Sequence, residues 1–395
     1  MKNLHFKAVI FSFFLVFSGN LWGDDVYIIP FAPVSSTILA QGSAFTASAR
    51  GTDALWTNPA GLARKAKNIL TFLDVQGDFY ITPSQINGLI GRINDNAFAN
   101  LDVTAPAAFD TVNFLQNLLQ TNGFGLNTNF TVFGLVVNGL GLGLSSTVDV
   151  YARGKTLTGT TAVVEGVVGG VIGFAYPFAL GPMKLYFGVD VRPFYRVYST
   201  STVMDLLTAL GSGSFDSYFT SATAGLAPGF AIDVGAIGEI ADWSFGLSLR
   251  DSGTPIKYNE YSLEYIRTNW SKLSAGTPSV DTYITPLTLS LGTAWEPKLG
   301  PFSDVVVPKV SLDVTVPFKG SRTPSWYTWI HLGTEVTILN YLSLRAGMNQ
   351  GYLTGGFGVS LYLWEANVAI YSQELGQYAG EKRRTAVSVE SKFKF

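Results

Sequence analysis

The chain has 395 residues, of which 47% are hydrophobic and only 14% are charged. That charged share is far below the roughly 25% of an average soluble domain, so much apolar surface must face something other than water. The 26 basic and 28 acidic residues give a mildly acidic balance that offers nothing to nucleic acid. The absence of cysteine excludes disulfides and thiolate metal sites.

Residues 1–23 have the pattern of a secretory signal peptide. Lys2 and Lys7 precede an apolar run from residue 8 to residue 17, and small and polar residues follow it. The run is too short to cross a bilayer as a helix, which makes an uncleaved anchor the weaker alternative. Removal of this segment leaves His331 as the only histidine, which excludes an active site or metal site built on a histidine pair. We therefore expect no metal, no cofactor and no enzymatic activity.

The best later candidate for a membrane helix is the stretch GVVGGVIGFAYPFALGPM, residues 166–183. Its interior glycines, its prolines and its β-branched residues argue against a helix. A membrane protein without membrane helices must be a closed β-barrel, because a bilayer demands that every backbone polar group be paired.

Strand patterns of barrel length occur along the chain. In residues 183–197 the apolar side chains share one face, and charged side chains such as Arg192 share the other. The last residues repeat this pattern and place Phe393 and Phe395 on the apolar face. A soluble β-sandwich also alternates, but shorter strands and a different end are expected there. A terminal strand that closes on phenylalanine resembles the recognition signal of outer-membrane barrels, so these two residues are expected to direct insertion by the barrel assembly machinery.

The sequence predicts an all-β, antiparallel transmembrane barrel of about 14 strands. Short turns join the strands at one end and long loops at the other, and the long loops contain apolar residues at helical spacing in residues 109–120, 201–219 and 261–273. The candidate strands lie near 68–79, 127–137, 139–151, 163–176, 183–197, 225–238, 242–250, 284–296, 307–317, 328–338, 341–349, 354–364, 366–373 and 384–395.

Residues 39–83 resemble the hatch and first strand of the FadL family of outer-membrane transporters for long-chain fatty acids and other hydrophobic compounds. Small residues are followed by Asp53 and Ala54, then by Asn58, Pro59 and Ala60 in the wording ALWTNPAGLA, and a strand comes directly after. That wording is also similar to spirochaetal FadL-like proteins and to the PorV-like branch, whose members serve as secretion-system shuttles or scaffolds.

The resemblance implies that residues 24–67 form a hatch that plugs a barrel made by residues 68–395. Pro59 fixes its own φ and biases the preceding residue away from helix, while a following glycine allows a sharp exit. The residues expected in the gating corner are Trp56, Asn58, Pro59, Ala60 and Gly61. A rigid corner without a gating role is the alternative.

The resemblance also implies an apolar groove in the third and fourth outer loops that captures ligand. The candidate ligand contacts are Phe215, Tyr218, Phe219, Tyr261, Tyr265, Ile266 and Trp270, with the lumen cations Arg192 and Arg345 as partners for a fatty carboxylate. Self-packing of the loops or anchoring in lipid is the alternative for the aromatics. Pairing with lumen carboxylates is the alternative for the two arginines, since barrel interiors are polar. The glycines of GLGLGL, residues 139–144, suit a thin part of the third strand, where the family has a gap in its wall.

The expected function is passive transport of long-chain fatty acids or similar hydrophobic molecules across the outer membrane of a diderm bacterium. Apolar loops capture the ligand, and it leaves sideways through the wall after the hatch moves. The protein is expected to be a monomer surrounded by outer-membrane lipids. The alternative is a PorV-like scaffold that binds protein partners through its long loops.

Overall fold

Fourteen antiparallel strands of the chain form one closed barrel. In the computed structural model, the sheet runs in the order β5-β4-β3-β2-β1-β16-β15-β14-β13-β12-β11-β10-β7-β6, and β6 pairs with β5 to close the ring. The strands are β1 Leu70–Tyr80, β2 Phe124–Val137, β3 Leu140–Ala152, β4 Thr161–Leu180, β5 Met183–Thr202, β6 Thr223–Ile240, β7 Trp243–Gly253, β8 Ile256–Ser262, β9 Thr277–Tyr283, β10 Leu287–Trp295, β11 Val306–Phe318, β12 Ile330–Ile338, β13 Leu342–Asn349, β14 Tyr352–Leu361, β15 Trp364–Glu374 and β16 Arg383–Lys394. The structure describes residues 33–66, 68–98, 105–212, 220, 222–253, 255–269, 277–283, 285, 287–303, 305–318 and 325–395.

The two remaining strands, β8 and β9, extend the wall at the long-loop end. Strand β8 pairs with the start of β6 and with β9, so that it continues upward from β7 and returns toward β10. The described residues contain five α-helices besides short 3-10 turns, and none of these helices combines the length and apolarity needed to cross a membrane. They are α1 Ser36–Ala40, α2 Pro83–Asn94, α3 Phe109–Thr121, α4 Val203–Ser212 and α5 Leu263–Asn269.

Side chains alternate along each wall strand between the outer surface and the lumen, because successive residues of a strand point to opposite faces. The outward set is apolar and exposed: Phe72, Val75, Phe130, Leu142, Ile172, Phe187, Val189, Leu247, Leu291, Leu312, Leu344, Phe357 and Val389. The lumen set is largely polar and buried, as Gln76, Asp190 and Ser388 illustrate. This distribution is the one a transmembrane barrel requires, with the apolar band facing lipid.

The last strand closes the barrel against the first. Phe393 pairs with Phe72 on the outer face. The backbone N–H of Phe395 donates to the carbonyl of Leu70 at 2.8 Å, and its carbonyl accepts from Ile69 and Leu70 at 3.0 and 3.1 Å. Both phenylalanines are exposed on the outer surface. Their role as an assembly signal stays a prediction.

Residues 33–66 lie inside the barrel, and we call this segment the hatch. It begins with α1, whose N-terminus is capped by the Ser35 hydroxyl, and it ends in two 3-10 turns, Gly51–Trp56 and Pro59–Ala63. Apolar hatch residues pack against wall residues in one buried cluster, which includes Leu55, Trp56 and Val171. The hatch therefore has a defined core with the wall rather than hanging in the lumen.

A ring of lumen-facing glycines makes room for the hatch. At each of these glycines, an added Cβ would come within 3.2 Å of a hatch atom, which is closer than side-chain atoms ordinarily pack. The glycines are Gly134, Gly141, Gly143, Gly173, Gly188, Gly235, Gly246, Gly292, Gly333, Gly347 and Gly356. At Gly188, Gly246, Gly292, Gly333 and Gly347 the hatch backbone itself approaches the wall, so an added side chain there would overlap it. At the other glycines the hatch atom is a side-chain atom or lies in Pro59 or Asn58, which would have to shift.

The strand prediction is confirmed for all fourteen barrel strands, within a few residues at each end. Two features were missed: the strands β8 and β9, and helix α2, which the prediction left in a loop. The signal for α2 was present, because Ile86, Leu89, Ile90 and Ile93 recur at helical spacing after a capping box formed by Thr82 and Gln85. The expected hatch boundaries at residues 24 and 67 lie outside the described residues.

The glycine ring predicts that a single methyl group dislodges the hatch without opening the wall. We expect Gly235→Ala, which places a Cβ against the Asn58 side chain and Pro59, to destabilise hatch packing by about 1–3 kcal/mol. Amide hydrogen exchange should rise across residues 40–62, while heat-modifiable migration of the barrel is unchanged. Gly166→Ala is the control, because its Cβ would meet only Val197 at an ordinary 3.7 Å. Equal exchange in the two variants would contradict the prediction.

Candidate functional site

The corner predicted from the sequence lies at the centre of the hatch and is fully buried. The Asn58 amide nitrogen donates to the carbonyl of Thr46 at 3.0 Å and to the carbonyl of Leu247 in β7 at 3.2 Å. Its amide oxygen accepts from the backbone N–H of Ala60 at 3.1 Å, which caps the second 3-10 turn. One side chain thus joins two hatch segments to the barrel wall.

The other four corner residues are held by close packing. Pro59 and Ala60 lie against the backbone of Gly188, and Gly61 packs against the carbonyl of Ala49. Trp56 lies over Gly143 of β3 and belongs to the buried apolar cluster. The structure therefore brings all five predicted corner residues together at the wall, and their gating role stays a prediction.

Charged groups tether the hatch to the wall at two further points. The carboxylate of Asp313 accepts from the backbone N–H groups of Phe45 and Thr46 at 2.8 and 2.7 Å. The guanidinium of Arg64 lies 2.6 Å from Glu239 and donates to the carbonyls of Ala47 and Ala49 at 3.0 Å. Hydrogen bonds to charged groups are worth about 1.5–3 kcal/mol each, so these two residues hold the hatch more firmly than neutral contacts do.

Sequence reasoning missed Asp313 and Arg64 as hatch anchors. Asp313 lies on the polar, lumen-facing side of β11, and nothing local distinguishes it from other lumen carboxylates. The sequence also did not predict that His331 contacts the hatch, where its Nδ1 lies 3.0 Å from the carbonyl of Gly42. His331 also lies opposite Asp313 in the register of β11 with β12.

A small cavity separates the hatch from the β1 and β2 wall. Its volume of about 20 Å³ is enough for a water molecule and far too small for a long-chain ligand. Hatch residues and wall residues both line it: Pro33, Ser35, Ile38, Thr52, Asp53, Trp56, Thr71, Asp74, Gln76, Asn129, Thr131 and Gly134. In this conformation the cavity cannot hold a long-chain ligand, so passage of a ligand along β1 would require the hatch to move.

The wall is irregular beside this cavity. Leu73 has φ of 55°, which is rare for a leucine in a strand, and the register of β1 with β16 shifts there by one residue. The register of β2 with β3 shifts between Thr131 and Phe133. The two bulges lie on the neighbouring strands β1 and β2 and form a line of dislocation that borders the cavity. A further register shift lies between β6 and β7, at Ile232 and Val234, away from the residues that line the cavity.

The expected gap at β3 is not seen in this structure. Strand β3 pairs with β4 without interruption from Leu140 to Ala152. Its glycines Gly141 and Gly143 face hatch residues Leu55 and Trp56 instead of an opening. They serve the fit of the hatch here, and the irregularity that borders the cavity is at β1 and β2.

A cluster of aromatic and charged side chains closes the lumen above the cavity. The Tyr80 hydroxyl donates to Asp149, and the Arg384 guanidinium lies 4.1 Å from the Tyr80 ring and 4.9 Å from the Tyr151 ring. Asp149 also accepts from Asn127 at 3.2 Å. All of these groups lie on wall strands directly beneath the first long loop, so they bound the lumen at that end.

The helices of the first and third loops pack together above this cluster. Leu115, Leu118 and Leu119 of α3 form a buried core with Ile81 and Val203, and partly buried residues of α2 and α4 cover it. On the outside of this cap, Ile90, Ile93 and Phe109 are exposed. The first loop thus contributes an apolar surface where the prediction had placed the main groove in the third and fourth loops.

The predicted fourth-loop contacts lie on the extension formed by β8 and α5. The rings of Tyr261 on β8 and Tyr265 on α5 stack on each other with centroids 5.9 Å apart. Ile266, also on α5, is half-buried. Phe215, Tyr218, Phe219 and Trp270 lie outside the described residues. The self-packing alternative therefore describes the two tyrosines in this conformation, and capture of a ligand by this loop stays a prediction.

The two lumen arginines proposed as ligand contacts are engaged in ion pairs. Arg192 is completely buried and lies 2.9 Å from Asp233 and 2.5 Å from Asp251. Arg345 lies 2.5 Å from Glu335 and donates to the Asn367 amide oxygen at 2.9 Å. Contact of either arginine with a ligand stays a prediction.

The comparisons with known proteins identify the fold. No protein-family model and no curated protein sequence matches the chain. Among solved structures, it is similar to the TodX deltaS2S3 mutant monoaromatic hydrocarbon channel, with 14% identity, 92% of this chain and 99% of that chain covered, and a TM-score of 0.50. It is also similar to the toluene transporter TodX of Pseudomonas putida (14% identity, 93% and 98% covered, TM-score 0.48) and to the toluene transporter TbuX of Ralstonia pickettii (11%, 93% and 100%, TM-score 0.46).

The chain is thus a transmembrane β-barrel of fourteen strands with its N-terminal segment in the lumen. Its fold is FadL-like, which confirms the resemblance predicted from residues 39–83. At these identities the likeness establishes the architecture, and the cargo has to be argued from the residues.

The corner geometry predicts a selective effect of Asn58. Asn58→Ala removes three hydrogen bonds, each worth about 0.5–1.5 kcal/mol, and Pro59→Gly adds backbone freedom. The double variant should show faster hydrogen exchange across residues 40–62 with little change in the thermal unfolding of the barrel. Asn94→Ala, at an exposed asparagine at the end of α2, is the control. Failure of the double variant to fold would identify the corner as structural.

Proposed function

We propose that the protein carries hydrophobic small molecules across the outer membrane by a passive route that a movement of the hatch opens. The observation that supports this most is the hatch itself, which lies in the lumen against the wall and leaves a cavity of about 20 Å³ beside β1 and β2. The wall ladder contains no hatch residue, so the hatch can rearrange while the barrel stays closed. The solved structures of similar fold are named as hydrocarbon channels and toluene transporters, which agrees with this cargo class.

The route we propose begins at the apolar cap of the first and third loops and follows β1. The cap lies directly above Tyr80 and Arg384, and the cavity between the hatch and β1 lies below them. Shifting the aromatic cluster and the hatch would join these compartments into one passage. No nucleotide or metal ion takes part in this proposal, and the barrel acts as a monomer that the assembly machinery inserts into the surrounding lipid.

We further propose that the ligand leaves sideways at the dislocation in the wall. A bulge weakens local strand pairing, and here two bulges meet at Leu73 and its neighbour on β2. The cavity borders both, so a ligand in it would be one strand thickness from the lipid. Release at this place replaces the expected release at β3.

A scaffold that binds protein partners through its long loops has no support from the similar structures reported above. The two functions differ in what should accompany the purified protein. A stoichiometric lipid or hydrocarbon in solvent extracts, detected by mass spectrometry, would support transport, and its absence together with a co-purifying protein would support the scaffold.

Capture by the first loop predicts a loss of uptake when its exposed apolar residues become polar. Burying one such side chain on a ligand is worth about 1.5–3 kcal/mol, so Ile90→Ser combined with Ile93→Ser should weaken uptake of a labelled long-chain compound several-fold. Uptake is measured in a diderm host that expresses the protein, against a host without it. Tyr261→Ser with Tyr265→Ser tests the fourth loop, and Leu353→Ser, an exposed residue elsewhere at the loop end, is the control. Unchanged uptake in both loop variants would contradict capture by these loops.

Lateral release predicts that a covalent link across β1 and β2 blocks transport. Phe72 and Phe133 are register partners beside the bulges and both face lipid, and the chain has no cysteine to compete. Cross-strand Cα separations of about 4.5–5.5 Å suit a disulfide. Phe72→Cys combined with Phe133→Cys should lower uptake when oxidised and restore it on reduction. The control links Tyr176→Cys to Phe187→Cys across β4 and β5, and equal uptake with either link would contradict release at the dislocation.

A further inference from the structure

Among the described residues, the cavity beside β1 and β2 is lined by acidic groups but by no basic group. Two carboxylates, Asp53 on the hatch and Asp74 on β1, face it together with neutral polar side chains such as Gln76 and Asn129. Ile38 and Trp56 supply its apolar part. The lining therefore offers an apolar surface next to acidic groups.

The acidic character extends behind the lining. The register of β1 with β16 places Asp74 opposite Lys392, and the ammonium of Lys392 lies 3.6 Å from Glu390, 3.7 Å from Glu365 and 4.0 Å from Asp53. A single ammonium group thus serves three carboxylates. Lys394 adds a second positive charge, but it pairs with Glu365. Acidic groups remain in excess around the cavity.

The other buried basic residues of the lumen are already neutralised. Each lies within 4.0 Å of at least one carboxylate oxygen, as the described part of the chain shows for Arg64, Arg192, Arg196, Lys309, Arg345 and Arg384. A ligand carboxylate that bound any of them would have to displace a carboxylate of the protein, which would leave a buried acid unpaired at a cost of several kcal/mol.

One carboxylate oxygen at the cavity can still accept a hydrogen bond. Oδ1 of Asp74 is buried and, within the described residues, has no hydrogen-bond donor. A hydroxyl or another neutral donor on a ligand could satisfy it. A ligand carboxylate could not, because an ionised carboxylate only accepts hydrogen bonds.

We propose that Asp53 and Asp74 make this cavity a charge filter, which passes uncharged hydrophobic molecules and rejects those with an ionised carboxylate. The inference rests on the proposed transport function and names its substrate class. A ligand carboxylate and the carboxylates of the protein repel each other at close range, and this repulsion is stronger where water is excluded. The filter is the alternative to the expectation that lumen arginines bind a fatty carboxylate.

The test compares two probes of equal chain length, 1-hexadecanol and hexadecanoate, in the full-length protein at pH 8. Uptake by an expressing diderm host is measured for each probe against the same host without the protein. We expect the wild type to prefer the alcohol by about tenfold, which corresponds to about 1.4 kcal/mol. Asp53→Asn combined with Asp74→Asn should raise uptake of the acid and reduce that preference to within about threefold, roughly half a tenfold step in free energy.

Two variants separate charge from structure. Asp53→Glu keeps the negative charge and should keep the preference for the alcohol. Asp242→Asn removes an acidic group from the turn between β6 and β7, far from the cavity, and should leave the preference unchanged. A change in either would show that the effect does not come from the charge at the cavity.

The outcomes distinguish the filter from transport itself. Uptake of both probes at equal rates, or a preference for the acid, would overturn the filter and leave the transport function standing. Uptake of neither probe above the background of the empty host would overturn the transport function, and the filter with it. A wild-type preference that survives the double substitution would place the discrimination elsewhere in the protein.

Discussion

The close approach of the hatch backbone to the wall backbone is the constraint on which the structure depends. A fourteen-stranded ring has a lumen that side chains alone do not fill, and a peptide segment can occupy it only where the wall presents no side chain. The ring of glycines supplies this space, and Gly188, Gly235 and Gly347 show how tightly it is used, because an added Cβ at each would overlap a hatch atom. The consequence is that the wall strands contain many glycines, which are conformationally flexible. The closed hydrogen-bond ladder compensates, since every wall strand has a partner on both sides.

This arrangement divides the molecule into two sets of interactions with different consequences. The ladder faces lipid, where an unpaired backbone group has no water to bind, so opening it is costly. The hatch contacts lie in a polar lumen, where the carboxylate of Asp313, the guanidinium of Arg64 and the amide of Asn58 could all be solvated after the hatch leaves. Their net worth is therefore the difference between a protein partner and water, about 0.5–1.5 kcal/mol for a neutral bond and about 1.5–3 kcal/mol for a bond to a charged group. This difference is the physical basis of the proposed movement of the hatch inside a fixed wall.

The strands were predictable from the sequence because alternation is a local signal that the bilayer enforces on every strand. The contacts that matter for the site were not, since they depend on register around the whole ring. Asn58 was singled out through its surroundings in sequence, but its bond to Leu247 joins residues 189 positions apart. Strands β8 and β9 were missed because they lie beyond the apolar band, where nothing requires one face to be apolar. The sequence does not predict the bulge at Leu73, because leucine is an ordinary strand residue and only the φ of Leu73 is unusual.

The distribution of charge in the lumen limits how a cargo can be recognised. Buried ion pairs such as Arg192 with Asp233 and Asp251 contribute little net stability, but breaking one leaves an uncompensated charge, so these groups are committed to each other. The groups that remain available to bind a ligand are apolar surface and neutral polar groups. These groups recognise size and hydrogen-bond donors better than charge. The cavity beside β1 combines both, and it lies beneath the apolar cap of the first loop and next to the dislocation at Leu73. Entry, selection and exit would then share one side of the barrel, so a hatch movement confined to that side would suffice and the tethers at Asp313 could remain intact.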